Sequence, residues 1–207
     1  IYVIDNNKVN KKETNCDKAK ELAKRPIIEL ITSENFELNE WNKNGGSIKI
    51  KFKNGGNSYY KESNNKSVEW FSDDNSINSF DNVLEINGNI NTTLNLLVNF
   101  DDVSYVKKTK VMVDTEAPVY KSSSLTKGIT VSYEDNYLLN KTYYYFSLDN
   151  EIPNKDSFSD GIENVDCDKV YYVWSYATDM AGNESDIQYL GDYTRCVTIS
   201  SGTVSSD

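Results

Sequence analysis

The segment Val170-Tyr-Tyr-Val-Trp174-Ser-Tyr176-Ala-Thr-Asp179-Met-Ala-Gly182-Asn183 is typical of a long aromatic β-strand that runs into a tight turn. Side chains alternate between the two faces of a strand, so the even-numbered residues of this segment share one face. That face carries Val170, Tyr172, Trp174 and Tyr176. Asp179 opens the turn, and Gly182 supplies the positive φ that a short hairpin loop needs. The segment therefore predicts a β-hairpin with an aromatic core face.

The second strand of this hairpin is predicted over residues 187–190. Counting outward from a tip at Ala181 and Gly182 places Trp174 opposite Tyr189, so the two rings should contact each other across the strands. A bulge in either strand would change this count by one residue.

The same count places Cys167 opposite Cys196, near the open end of the hairpin and on its less buried face. This register predicts a disulfide between them. The chain has three cysteines, so Cys16 would then be a free thiol or would join another chain. A disulfide implies an oxidising, exported setting.

The totals exclude several classes of function. The 207 residues are 38% hydrophobic and 12% aromatic, which is enough for packed cores in one or two domains. A net charge of -10 argues against nucleic acid or an anionic membrane as the main partner. The absence of histidine excludes histidine-based triads and histidine metal sites. No run approaches the ~18 apolar residues of a membrane helix, so we expect membrane attachment only through a segment absent from this chain.

Residues 1–25 are predicted to form an N-terminal arm. The chain starts at Ile1 without a methionine or a signal, so we expect a processed product or a trimmed ectodomain. A short helix is predicted over 14–24, capped by Thr14 and favoured by Asp17 in its first turn. Two interpretations of residues 1–25 stay open, a docking arm and a plain linker.

From Pro26 onward the apolar pattern has a period of two, which indicates strands. About seven short strands in residues 26–113 predict a first β-sandwich. The segment 114–118 interrupts the pattern, and the strand order then restarts over 114–199, which predicts a second sandwich and an internal repeat. In this repeat Tyr144–Ser147 aligns with Glu69–Ser72. Residues 200–207 are predicted to be a flexible tail.

Three motifs resemble those of bacterial immunoglobulin-like repeats of exported surface proteins. They are the linker Val113-Asp-Thr-Glu-Ala-Pro118, the strand Tyr144-Tyr-Phe-Ser147-Leu-Asp149, and the hairpin Tyr172-Val-Trp174-Ser-Tyr-Ala177-Thr-Asp179-Met-Ala-Gly182-Asn183. The first unit departs from the pattern, because Phe100-Asp-Asp-Val-Ser104 stands where the Gly-Asn turn should be.

The resemblance implies an all-β chain of two tandem immunoglobulin-like sandwiches, located outside the cell on a bacterial surface. It implies a spacer or adhesive stalk with no catalytic residues and no cofactor. Trp174 is implied to be a core residue, with Asp179, Gly182 and Asn183 forming the turn. The expected partners are other surface or filament subunits, or a host or glycan ligand. Two alternatives are a subunit of a pilus or other filament, and a carbohydrate-binding accessory module.

Three chemical hypotheses compete with plain structural roles for the acidic and aromatic residues. Calcium could bind Asp114 and Glu116 of the linker together with Asp179. The simpler interpretation of these acids is a linker exposed to solvent. Tyr59-Tyr60 or Tyr143–Tyr145 could stack on sugar rings, although packing along a sheet explains such residues equally well. Acidic pairs such as Asp73/Asp74 lie in predicted loops, and sequence shows neither the groove nor the split pKa values that a catalytic pair needs.

Overall fold

The computed structural model describes residues 4–5, 8–9, 27–53, 66–100, 103–126, 128–162 and 165–195. These residues form β-strands and one short 3-10 helix, Lys155–Ser157, and contain no α-helix. The prediction of an all-β chain is therefore confirmed. The helix predicted over 14–24 lies outside the described residues. What is described of the arm is a pair of two-residue antiparallel strands, β1 (Ile4–Asp5) and β2 (Lys8–Val9).

The chain divides into two compact units, each with its own internal contacts. The first comprises Ile1–Glu40 and Asn44–Met112, and the second comprises Trp41–Lys43 and Val113–Asp207. The division falls beside the boundary predicted between residues 113 and 114. The sequence did not indicate that Trp41–Lys43, which contains β4 (Trp41–Asn42), belongs with the second unit.

The first unit contains two antiparallel sheets that bury alternate residues. One has the order β3-β5-β8 and the other includes β10-β9-β6-β7. Their strands are β3 (Ile27–Thr32), β5 (Gly46–Lys53), β6 (Lys66–Ser72), β7 (Asn78–Ser79), β8 (Val83–Ile86), β9 (Ile90–Phe100) and β10 (Val103–Val113).

The core of the first unit follows from the period-two pattern. Ile48 and Ile50 of β5 are buried, whereas the lysines that alternate with them are not. On the other sheet Trp70 is fully buried opposite Leu96, and its Nε1 donates to the carbonyl oxygen of Asp81 over 2.9 Å. Trp70 therefore contributes a large apolar surface without leaving its polar atom unsatisfied.

The second unit contains a two-stranded sheet, β11-β12, and a three-stranded sheet, β13-β14-β15, all antiparallel. The strands are β11 (Val119–Ser124), β12 (Thr130–Glu134), β13 (Leu139–Ser147), β14 (Tyr171–Asp179) and β15 (Gln188–Tyr193). The order β15-β14-β13 repeats the order β10-β9-β6 of the first unit.

Both faces of β14 carry core residues, so the prediction that Trp174 is a core residue on an aromatic face is confirmed, and the opposite face is buried as well. The odd-numbered Val173 packs in a buried cluster with Phe146 and Val165. The odd-numbered Ser175 is fully buried and accepts a hydrogen bond from the Tyr133 hydroxyl of β12 over 3.1 Å. The even face, which was predicted to be a core face, buries Trp174 and Tyr176 under the rings of Tyr189, Tyr143 and Phe158. Both faces of β14 are therefore covered.

The even face of β14 carries a row of aromatic contacts. Trp174 lies opposite Tyr189, as the register predicted, with ring centroids 4.9 Å apart. Tyr176 stacks on Tyr143 at 4.8 Å, with Phe158 edge-on to Tyr176 at 5.0 Å. These neighbours leave only 7% of Trp174 and 7% of Tyr176 exposed.

A bulge between Val173 and Trp174 changes the hairpin register by one residue. The simple count that placed Cys167 opposite Cys196 therefore does not hold beyond the bulge. Cys167 itself lies in a turn that precedes β14. Cys196 and Cys16 lie outside the described residues, so the disulfide and the fate of the third thiol stay predictions.

The predicted repeat alignment is out of phase by one residue in β6 and β13. It paired Phe71 with Phe146, yet Phe71 is 37% exposed and Phe146 is 9% exposed. Because side chains alternate, a one-residue slip moves every side chain to the opposite face. The strand order of the two units is alike, whereas this residue-by-residue pairing was wrong.

Candidate functional site

Three carboxylates of the second unit converge at the end of the β14–β15 hairpin. Asp114 follows β10, Asp135 follows β12 directly, and Asp179 is the last residue of β14. One carboxylate oxygen of each lies within 4.8 Å of those of the other two. Asp114 and Asp179 are 1% and 0% exposed, and Asp135 is half-buried. This cluster is called the three-carboxylate site below.

Asp114 is held by main-chain and side-chain hydrogen bonds. Its N–H donates to the carbonyl oxygen of Asn42 over 3.0 Å, which ties Trp41–Lys43 to the second unit. Its Oδ1 accepts hydrogen bonds from the Glu116 N–H and from the Asn136 side chain, each over 3.0 Å. The first residue of the linker is thus buried and fixed, and it is not a solvated acid.

The hairpin turn brings Asp179 and Asn183 against this linker. Gly182 has a φ of +87°, and its N–H donates to the carbonyl oxygen of Asp179 over 3.3 Å. The Asn183 N–H donates to Asp179 Oδ1 over 2.8 Å. The Asn183 side-chain amide donates both to Asp179 Oδ2 and to the carbonyl oxygen of Asp114, each over 2.7 Å. One amide therefore links the turn to the linker.

Asp135 is the least satisfied member of the site. Its Oδ2 accepts a hydrogen bond from the Tyr137 N–H over 3.1 Å, but its Oδ1 is buried and has no hydrogen-bond partner among the described residues. Burial raises the pKa of Asp135, and the negative charges of Asp114 and Asp179 raise it further. The ionised form of Asp135 is thus disfavoured where it stands.

The chemistry of the site suits a hard cation. Calcium takes six to eight oxygen ligands, mostly from carboxylates, carbonyls and water. Within the described residues no lysine or arginine forms an ion pair with any of the three carboxylates. A shallow cavity of about 200 Å³, lined in part by Glu116, Asp135 and Asn136, lies beside the site and opens to solvent. A small cation could therefore approach Asp135 directly.

The sequence hypothesis for calcium named two of the three carboxylates. The fold brings Asp114 and Asp179 together, while Glu116 is exposed and its N–H supports Asp114. Asp135 was missed. Its signal in the sequence is weak, because it is one of two neighbouring acids at the end of β12 and only the pairing of β11 with β12 places it next to the linker.

Of the tyrosines considered for sugar stacking, Tyr143 and Tyr145 contact other aromatic rings. Tyr143 stacks on Tyr176 with an interplanar angle of 10°, and Tyr145 lies 5.6 Å from Phe158. The Tyr189 hydroxyl donates to the Asp192 carboxylate, and this hydrogen bond raises the pKa of Tyr189 to about 12. Tyr59-Tyr60 lies outside the described residues.

The raised pKa of Asp135 predicts how the stability of the second unit depends on pH. A carboxyl whose folded pKa exceeds its unfolded value stabilises the fold below the unfolded pKa, and this contribution is lost as the pH rises through the folded pKa. The unsubstituted chain is called the parent protein. We therefore expect the free energy of unfolding of its second unit to fall, relative to that of the Asp135→Asn variant, as the pH rises from below 3.8 through the raised pKa of Asp135. Urea unfolding of both proteins at a series of pH values, without divalent cations, measures this difference in the free energy of unfolding.

Asp149→Asn is the matched control, because it makes the same change at an exposed acid of the same unit. If Asp135→Asn and Asp149→Asn give parallel pH profiles, the three-carboxylate site does not disfavour an ionised Asp135.

No helix in the described part of the chain is long and apolar enough to span a membrane. Neither the protein-family models nor the curated proteins include a match to this sequence.

Proposed function

We propose that the chain is a non-catalytic segment of a bacterial cell-surface protein, made of two tandem immunoglobulin-like β-sandwiches that act as a spacer or adhesive stalk. The observation that carries this proposal is the repeated strand order. The sheets β10-β9-β6 and β15-β14-β13 have the same order, and each contributes to the core of its own unit. A separate core in each unit is what tandem domains of one chain require.

The linker between the units supports a spacer. Residues 114–118 alone separate β10 from β11, so the chain passes from one unit to the next without a long flexible segment. Asp114 at the start of this linker is held by hydrogen bonds on its main chain and its side chain. The linker is therefore short, and its first residue is fixed to the second unit.

Native mass spectrometry and small-angle X-ray scattering on one sample, with and without reductant, test this function. We expect an elongated monomer that does not change with reductant. A dimer or fibre that dissociates on reduction would instead favour the filament alternative, with Cys16 as the cross-linking thiol. A compact monomer would contradict the spacer.

We propose calcium binding at the three-carboxylate site as a second candidate function. It is favoured by the convergence of Asp114, Asp135 and Asp179 and by the buried Asp135 Oδ1, which has no partner among the described residues. Bound calcium would give that oxygen a partner and would offset the repulsion among the three acids. Its role in a stalk would be to stabilise the second unit where the linker joins it.

Calcium is expected to stabilise the second unit of the parent protein. A ligand that binds only the folded state at 100 times its Kd stabilises by about 2.7 kcal/mol. We therefore expect a higher melting temperature in calcium than in EDTA, and heat of binding in a calorimetric titration. Asp135→Asn should lose most of both responses, and Asp149→Asn should keep them. Equal responses in the two variants, or no response in the parent protein, would exclude the site.

A further inference from the structure

The chain enters and leaves the three-stranded sheet of the second unit at opposite ends. Asp114 lies at the end where β14 finishes, because the Asn183 amide of the following turn donates to its carbonyl oxygen. β15 runs back to the other end, where Tyr193 pairs with Tyr171. Tension applied through the linker and through the residues after β15 would therefore act along the strands.

Asp114 is the first residue of the linker that such tension would reach. Its N–H, its carbonyl oxygen and its side chain are bonded to Asn42, Asn183 and Asn136 respectively, which belong to three separate segments of the second unit. Asp114 is 1% exposed, so water cannot readily replace these partners as the bonds begin to stretch. The next resistance would come from the ladder between β11 and β12, which begins with Val119 opposite Glu134.

We propose that Asp114 and Asn183 form a mechanical clamp that must break before tension entering from the linker can peel β11 from the second unit. The Asn183 amide is the central part of this clamp, because it joins the Asp114 carbonyl to the Asp179 carboxylate, and both acceptors are buried. The clamp extends the proposed function as a spacer, since only a chain under tension would use it.

Single-molecule force spectroscopy at constant force tests the clamp, because forced unfolding reports the unfolding rate. The parent protein and Asn183→Ala are held by handles at the chain termini, and unfolding of the second unit is timed. Loss of hydrogen bonds to a buried carboxylate and a buried carbonyl should raise the unfolding rate about ten- to a hundredfold. The same pair is then pulled with the first handle moved by click chemistry to the exposed position 124, at the end of β11.

Pulling from position 124 bypasses the clamp. The increase in unfolding rate caused by Asn183→Ala should then be smaller, and should reflect only the lower equilibrium stability of this variant. An equal increase in rate from both handle positions, or no increase from the termini, would overturn the proposal. If Asn183→Ala does not fold, Asn136→Ala replaces it, because it removes one bond to Asp114 from an exposed amide, and a smaller increase of the same kind is expected. The scattering measurement decides the spacer function independently of these rates.

Discussion

Replacing Trp70 with alanine is expected to destabilise the first unit strongly and to leave the stability of the three-stranded sheet of the second unit unchanged. Trp70 is 0% exposed, and its Nε1 donates to the Asp81 carbonyl oxygen. Truncating a buried tryptophan to alanine costs about 3–5 kcal/mol, because apolar burial is lost and a cavity remains. Each kcal/mol lowers the melting temperature of a domain of 60–100 residues by roughly 4–8 °C. A loss of this size exhausts much of the stability of a small unit.

Hydrogen–deuterium exchange read by mass spectrometry separates the two units. In Trp70→Ala, peptides from β6 and β9 should lose protection, while peptides from β13 and β14 keep that of the parent protein. Phe80→Ala is the control, since this large side chain of the same unit is 69% exposed and its removal should change little. Simultaneous loss of protection in β6 and β14 would show that the chain unfolds as one body, and tandem independent units would then be rejected.

The reciprocal substitution, Phe146→Ala, is expected to destabilise the second unit and spare the first. Phe146 packs with Val165 and Val173, and its ring lies edge-on to Tyr171 at 6.4 Å. The expected cost is again about 3–5 kcal/mol. Circular dichroism during heating should show a lowered transition for one unit only, assigned by the exchange of peptides from β13 and β14.

Phe158→Ala is the informative comparison for this unit. Phe158 lies against Tyr145 and Tyr176 on the even face of the sheet and is half-buried. We expect a smaller loss than for Phe146→Ala, because part of the ring already contacts water. A larger loss from Phe158→Ala would mean that the even face, and not the cluster around Val173, dominates the packing of this unit.

The period-two pattern was sufficient to predict strands, since alternate burial is visible in the sequence wherever one face meets water. It was insufficient on β14, where both faces are buried. There the large aromatic residues indicated one core face correctly, but the burial of the smaller Val173 and Ser175 on the opposite face was not predicted. The size of the side chains on one face of a strand does not reveal whether the other face is buried too.

The turn near Gly182 could be predicted from the sequence. Its positive φ and its aspartate that accepts a hydrogen bond from the main chain both depend on neighbouring residues only. The three-carboxylate site could be predicted from the sequence only in part. Asp114 and Asp179 stand in recognisable motifs, whereas Asp135 joins them through long-range strand pairing that no local pattern encodes. Trp41 was predicted to lie in the first unit for the same reason. Its contact with the ring of Tyr137, in the second unit, joins residues that are distant in the sequence.

The placement of Trp41–Lys43 with the second unit has an evolutionary consequence. A gene segment encoding residues 113–195 alone would omit the Asn42 carbonyl that accepts from Asp114 and the Trp41 ring that lies 5.1 Å from Tyr137. Shuffling that segment into another gene would leave a buried N–H without its acceptor. The second unit is therefore poorly suited to transfer as a single cassette, and duplication or exchange should preserve it together with the unit that precedes it.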